Sequence, residues 1–186
     1  MQTVVTEKEL YTQFAKLLEF PREDIRPIVE ECIQELHESQ YPEEAVKELL
    51  SFKNDLDRLS LDSLQELYSY TFELVSDTTL DMGYYLHAGQ DGFKRAKNLV
   101  TIKAMYRENG FPFEEVAKGE LPDHLTDVMQ FLGFVDSEDM RRDFMKTFVV
   151  VSMEKLHRNF QTKKNAYRHL INASYKIIDK DVKEGK

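Results

Sequence analysis

A chain of 186 residues, 41% of them hydrophobic, carries enough apolar material for one buried core, and its seven glycines and five prolines are too few to divide it with a linker. Charge is unevenly spread: from Val151 onward nine Lys or Arg stand against four Asp or Glu, a sum of +5, so with a total of −9 the preceding residues carry −14. Such an acidic body excludes nucleic acid as a partner and suits a cationic one, while the basic end reads as the solvated face of a last helix.

Further classes drop out on simple counts. One cysteine, Cys32, cannot form an internal disulfide and has no second thiol for a zinc or iron–sulfur site. The longest wholly apolar run, Phe148 to Val151, is far short of the roughly 20 residues that span a bilayer. The opening MQTVVTEKEL has neither the basic nor the apolar region of a secretory signal, so a cytoplasmic chain is expected, without membrane insertion.

Apolar residues recur at helical spacing from the start. Leu10, Phe14, Leu17 and Leu18 predict a first helix that ends before Pro21. A second fits Glu23 to Glu38 with Pro27 in its first turn, and a third runs from Pro42 to about Arg58. Ser60 is placed to cap a fourth, whose Leu64, Leu67, Tyr68, Thr71, Phe72 and Val75 repeat at three and four residues. Asp77 is expected to open a shorter helix, DTTLDMGYYLHA, broken at Gly89 to Gly92 before a long helix through Arg107 that stops at Asn109-Gly110.

Phe111-Pro112-Phe113 and Gly119 form a connection into ELPDHL, where Pro122 fits as the first helical residue and Asp123 complements the dipole of a helix reaching about Phe131. Ser137 to about Phe160 and Asn165 to Ile178 complete the set, with a flexible basic tail after about residue 178. No stretch alternates at period two. The expectation is a single all-α domain over residues 1–186, a compact irregular bundle of about eight or nine helices.

No nucleotide-binding, zinc-protease, serine-hydrolase or calcium-loop motif is present. The five histidines are scattered, and Cys32 and His37 do not share a helical face, so no metal and no cofactor are assigned. Glu120, Asp123 and His124 suffice in principle for acid–base chemistry but read equally as helix-start residues. The aromatics Tyr68, Tyr70, Phe72, Tyr84 and Tyr85 fit either a core or a half-open groove with acidic residues at its rim. On residues alone the reading stops at an acidic helical binding module without a catalytic motif.

Three segments carry a family resemblance. LYTQFAKLLEFP ends like the opening helix of the NarJ-type nitrate reductase assembly chaperones, a branch of the TorD/DmsD redox-enzyme maturation proteins; ELYSYTFEL with YYLHAGQDGFKRAKNLVTIKAMYRENG is similar to the family's Tyr-x-x-x-Phe-(Asp/Glu) helix, its break and its Arg-containing next helix. Glu120 to Leu125, ELPDHL, resembles the family's helix-opening signature without a break. Thr126 stands where a Pro often follows, and Ala88 separates His87 from Gly89.

The resemblance implies a TorD-like helical fold and a chaperone, not an enzyme. Its partner would be the N-terminal segment of the apo catalytic subunit of a respiratory molybdenum oxidoreductase, a twin-arginine leader or its remnant. The subunit would be held until its molybdenum bis-pterin cofactor and iron–sulfur cluster are inserted. The implied peptide-binding residues are Tyr68, Phe72, Glu73, Tyr84, Tyr85, His87, Arg95, Glu120, Pro122, Asp123 and His124, on a chain expected to be a monomer or weak dimer. Three alternatives stay open: ELPDHL as a hinge between helical halves, a helical enzyme using His124 and Asp123, and a structural interaction protein.

Overall fold

A computed structural model describes residues 7–74, 78–87 and 92–185. Among them are eleven α-helices and no strand: α1 Glu7–Leu18, α2 Arg26–Glu38, α3 Glu43–Leu56, α4 Leu61–Tyr68, α5 Met82–Leu86, α6 Gly92–Glu108, α7 Phe113–Val116, α8 Leu125–Phe134, α9 Glu138–Phe144, α10 Val150–Phe160 and α11 Tyr167–Glu184. Wide π-helical turns continue α4 through Ser69–Glu73 and join α9 to α10 through Met145–Val149. The all-α expectation holds, and the count exceeds eight or nine because the Phe111 connection contains the single turn α7 and a π turn divides the helix read as 137–160.

The buried residues form one continuous cluster from Leu10 to Ile178. At its centre lies α8, buried on nearly every side from Leu125 to Leu132, as a helix apolar all round must be. α1 lies across it with Leu10, Tyr11, Phe14, Leu17 and Leu18 inward. The crossing is close: a Cβ on Gly133 would collide with the Thr12 hydroxyl and sit 2.7 Å from the Lys8 carbonyl, so only glycine lets these backbones approach. α3 packs on α11, α11 on α10, and α2 on α3 and α1.

Local signals set most of the boundaries. The Ser60 hydroxyl accepts the Ser63 N–H at 3.1 Å and the Ser137 hydroxyl accepts the Met140 N–H at 3.4 Å, satisfying donors that open α4 and α9. Gly110, at φ 70°, takes the left-handed turn after α6.

Four boundaries differ from the sequence expectation. α5 covers only Met82–Leu86: residues 78–81 of the expected DTTLDMGYYLHA helix are not helical, because Asp81 pairs with His124 in an isolated antiparallel bridge. α2 begins at Arg26, with Pro27 in its first turn, three residues later than Glu23. α11 does not end at Ile178 before a flexible tail but runs to Glu184, capped by Gly185 at φ 75°. Asp181 explains this: buried on α11, it accepts the Tyr11 hydroxyl at 2.7 Å and the Tyr41 hydroxyl at 2.9 Å, which anchors the last turns against α1 and the α2–α3 connection. α8 starts at Leu125, not Pro122, for reasons that belong to the site below. The proposed opening at Asp77 and most of the break at 89–92 lie outside the described residues.

Candidate functional site

The ELPDHL segment is a strap laid between α5, α6 and α8. Lys118 and Gly119 both take positive φ, 51° and 96°, which turns the chain after α7. The Pro122 carbonyl accepts the hydroxyl of fully buried Tyr106 at 2.9 Å, and the Tyr106 ring packs on Phe111, Phe113 and Phe131 with centroids 5.0, 5.4 and 4.6 Å away. The strap then pairs as a two-residue antiparallel bridge, Asp81 opposite His124: Met82 N–H donates to the Asp123 carbonyl and Leu125 N–H to the Leu80 carbonyl, both at 2.9 Å. Pro122 and Asp123 are the centre of a turn closed by the His124 N–H on the Leu121 carbonyl at 2.9 Å, and His124 itself is extended in the bridge, so the helix starts only at Leu125.

Asp123 forms a latch on the inner side of the strap. Its Oδ2 accepts the Gly83 N–H at 2.9 Å and lies 3.4 Å from both Nε and Nη2 of Arg95, whose Nη2 also donates to Asp81 at 3.0 Å. The approach is so close that a Cβ on Gly83 would collide with this oxygen. Burial pushes the Asp123 carboxyl above its ordinary pKa, against the pull of the Arg95 guanidinium.

His124 faces elsewhere. Its Nδ1 bonds the Thr126 hydroxyl at 2.6 Å, and its Nε2 is 4.0 Å from Glu120. Burial lowers its pKa below the usual imidazole value despite the carboxylates of Glu120, Asp81 and Asp123. Since Asp123 is committed to Gly83 and Arg95 while His124 is committed to Thr126, the adjacent pair is not arranged as a hydrogen-bonded acid–base dyad.

On the His124 side lies a cavity of about 370 Å³ between α8, the end of α1 and the π turn after α4, lined by Glu19, Phe20, Tyr68, Glu73, Glu120, His124 and Asp127 together with the cations Arg22 and Lys118 and with Gln130. Lys118 donates to Glu19 at 2.7 Å and Gln130 to the same carboxylate at 3.1 Å. The Asp127 carboxyl, buried beside Glu120 and Glu19, is pushed up to about 7. A wider open groove, about 900 Å³, adjoins it and is lined by Leu59, Leu67, Tyr70 and Leu74 with Asp62 and Glu66 at its edge. Tyr70 and Leu74 are 64% and 76% exposed. Phe20 lines both depressions, so the acidic cavity and the apolar groove meet across one ring.

The eleven residues expected to act together are therefore divided. Tyr68, Glu73, Glu120 and His124 line the cavity, whereas Asp123 and Arg95 form the latch and Pro122 is tied to Tyr106. Phe72 stands behind the cavity in the core, its ring 5.0 Å from both Tyr68 and Tyr167 and 5.9 Å from Phe160. Tyr68 is itself mostly core, donating to the Leu18 carbonyl at 3.1 Å. Tyr85 is buried with its hydroxyl on the Thr79 carbonyl at 2.8 Å, Tyr84 crosses it edge-on on the surface, and His87 Nε2 accepts from Asn98 at 2.8 Å; none of the three lines the cavity.

Glu19, Phe20 and Asp127 escaped the sequence reading as site residues. Glu19 and Phe20 were visible as the end of the LLEFP motif, while Asp127 gives no local signal beyond being acidic in a first helical turn. Among the described residues one group places three ligand atoms within 4.8 Å of one another: Asp81, Glu120 and His124. Asp81 already holds the Arg95 guanidinium at 3.0 Å, and that charge opposes a metal cation in the same place.

The body is all-helical, its depressions are acidic and apolar, and the adjacent Asp123 and His124 are committed to separate bonds. The model of the nitrate reductase delta subunit family matches residues 37–162, about two thirds of the chain, and the protein belongs to that family, the NarJ-type chaperones. No curated protein matches the chain. The family match includes the strap, the latch and α8 but leaves out α1, which supplies the Glu19 and Phe20 side of the cavity. No helix of the described residues is long and apolar enough to cross a membrane.

Proposed function

We propose that this protein is a system-specific chaperone that binds the N-terminal segment of an apo catalytic subunit, that of a nitrate reductase-like molybdenum oxidoreductase, and holds it in the cytoplasm until cofactor insertion and assembly are complete. The observation that carries this reading is the junction at Phe20, where a groove with exposed Tyr70 and Leu74 adjoins, across one ring, a cavity lined by Glu73 and Glu120. An amphipathic helix would lay its apolar residues against Leu67, Tyr70 and Leu74 and turn its basic residues to the carboxylates. The acidic charge of the body raises the local concentration of such a segment. The protein acts by binding rather than by catalysis, and the latch residues Asp123 and Arg95 serve indirectly by fixing the strap that carries Glu120 and His124.

The test is calorimetric titration with a synthetic peptide covering the N-terminal ~30 residues of a nitrate reductase-like catalytic subunit from the same genome, long enough for a helix with flanks. Binding should weaken with salt, and should weaken on Glu73→Gln and on Tyr70→Ser with Leu74→Ser. Binding that is indifferent to the groove variants, or no binding to any such leader, refutes the reading.

A further inference from the structure

One carboxylate in the cavity is unused by the fold. Asp127 is the third residue of α8, where a side chain of this kind ordinarily accepts the N–H of the residue capping the helix. Here that N–H, from His124, donates instead to the Leu121 carbonyl at 2.9 Å. The neighbouring Thr126 hydroxyl is engaged with His124, and the Lys118 ammonium with Glu19. Asp127 is left 1% exposed at the cavity wall, its Oδ2 without a hydrogen-bond partner among the described residues. An isolated buried carboxylate is costly to a fold that gains nothing from it, and such a group calls for a partner that arrives from outside.

The surroundings indicate which partner. Glu19, Glu73 and Glu120 join Asp127 on the lining, four carboxylates against the two cations Arg22 and Lys118, of which Lys118 is held by Glu19, and the Phe20 and Tyr68 rings supply an apolar wall. A volume of about 370 Å³ lies at the small end of the range of ~300–1,000 Å³ for ligand pockets, enough for one long side chain. The group of ligand atoms that closes to within 4.8 Å leaves Asp127 out, so these dispersed carboxylates suit an organic cation better than a divalent metal.

We propose that the cavity is a receptor for a single basic side chain, a guanidinium or ammonium seated on Asp127 with its alkyl stem along Phe20 and Tyr68. This rests on the peptide-binding reading and adds to it a position of fixed chemistry: one Arg or Lys of the bound segment is selected by a buried charge, while the other basic residues meet only the solvated rim. A cation held by a buried carboxylate is worth far more than one at an exposed edge.

The probe is N-acetyl-arginine methylamide, with the neutral isostere N-acetyl-citrulline methylamide as control, titrated into isotope-labelled protein and followed by amide chemical shifts. The arginine compound should give saturable shifts at residues 125–130 and bind at least about ten-fold more tightly than the citrulline compound, as expected for a hydrogen-bonded ion. Asp127→Asn, which keeps shape and has no partner to lose, should abolish that preference, whereas the exposed Glu73→Gln should reduce it only slightly. Equal shifts with both compounds, or a preference for arginine that survives in Asp127→Asn, overturns the proposal. Because the probe is not a peptide, the two readings fail separately. Leader binding unaffected by Asp127→Asn removes the subsite and leaves the chaperone reading. An arginine response without leader binding does the reverse.

Discussion

Gly83→Ala probes the latch most directly, because the added methyl would occupy the place of the Asp123 oxygen that bonds the Gly83 N–H at 2.9 Å. Either the carboxylate withdraws and a charge-assisted hydrogen bond worth about 1.5–3 kcal/mol is lost, or α5 shifts away from the strap at a cost of about 1–3 kcal/mol for overpacking. Alanine returns about 1 kcal/mol of helix propensity, since Gly83 lies within α5. The net is a destabilisation of about 0.5–2 kcal/mol, which in a chain of this size lowers Tm by roughly 1–8 °C. Differential scanning calorimetry of Gly83→Ala, Asp123→Ala and the double variant checks the cause as well as the sum. With the carboxylate gone the methyl has nothing to strike, so in the Asp123→Ala background Gly83→Ala should no longer destabilise and should return up to about 1 kcal/mol of helix propensity. A Gly83→Ala protein as stable as the parent, or one that loses the same stability whether or not Asp123 is present, would refute the latch.

The buried Asp127 carboxyl, at about 7 against an ordinary unfolded value near 4, makes the folded state hold a proton that the unfolded state releases, so its contribution falls as pH rises from about 4 to 7. Asp127→Asn should therefore raise Tm at pH 8, with the gain shrinking toward pH 5; a gain that grows on acidification would contradict the assignment. Asp181→Ala removes the acceptor of two buried tyrosine hydroxyls and should cost about 3–5 kcal/mol in guanidinium unfolding, with Tyr41→Phe costing less than half of that. Burial drives the Cys32 thiol well above its usual range, so it should react with a thiol reagent only at the rate of unfolding.

Helix positions were readable wherever a local cause set them. The Leu10, Phe14, Leu17 stripe, the Ser60 and Ser137 caps and the Asn109-Gly110 stop all act within a few residues, and α1, α4, α9 and the end of α6 follow them. The errors share a long-range origin. Pro122 and Asp123 have a good helix-start pattern, but residues 40 positions earlier claim Asp123 on both its carbonyl and its carboxylate. The final turns of α11 look like a charged tail until Tyr11 and Tyr41, 170 and 140 residues distant, meet Asp181. The same limit applies to the site. Tyr68, Glu73, Glu120 and His124 came from motif resemblance, and only the packing shows that buried Tyr68 lines the cavity while half-buried Phe72 does not. Asp127 could not be found beforehand, because its burial and missing partner exist only once α1 and the strap close over α8.

That closure bears on the order in which the protein matures. α1 is synthesised well before its resting places, which are α8, more than a hundred residues onward, and through Tyr11 the end of α11. Contacts at such separation form late and slowly. Until α8 and α11 exist, the apolar face of α1 has only α2 for cover, and the Glu19 and Phe20 side of the cavity is unbuilt. A partly synthesised copy would thus offer the groove residues of α4 without the acidic receptor beside them. Competence to hold a basic segment arrives only once α8 has been made and α1 has docked on it, so a half-made chaperone has no completed receptor in which to sequester its client.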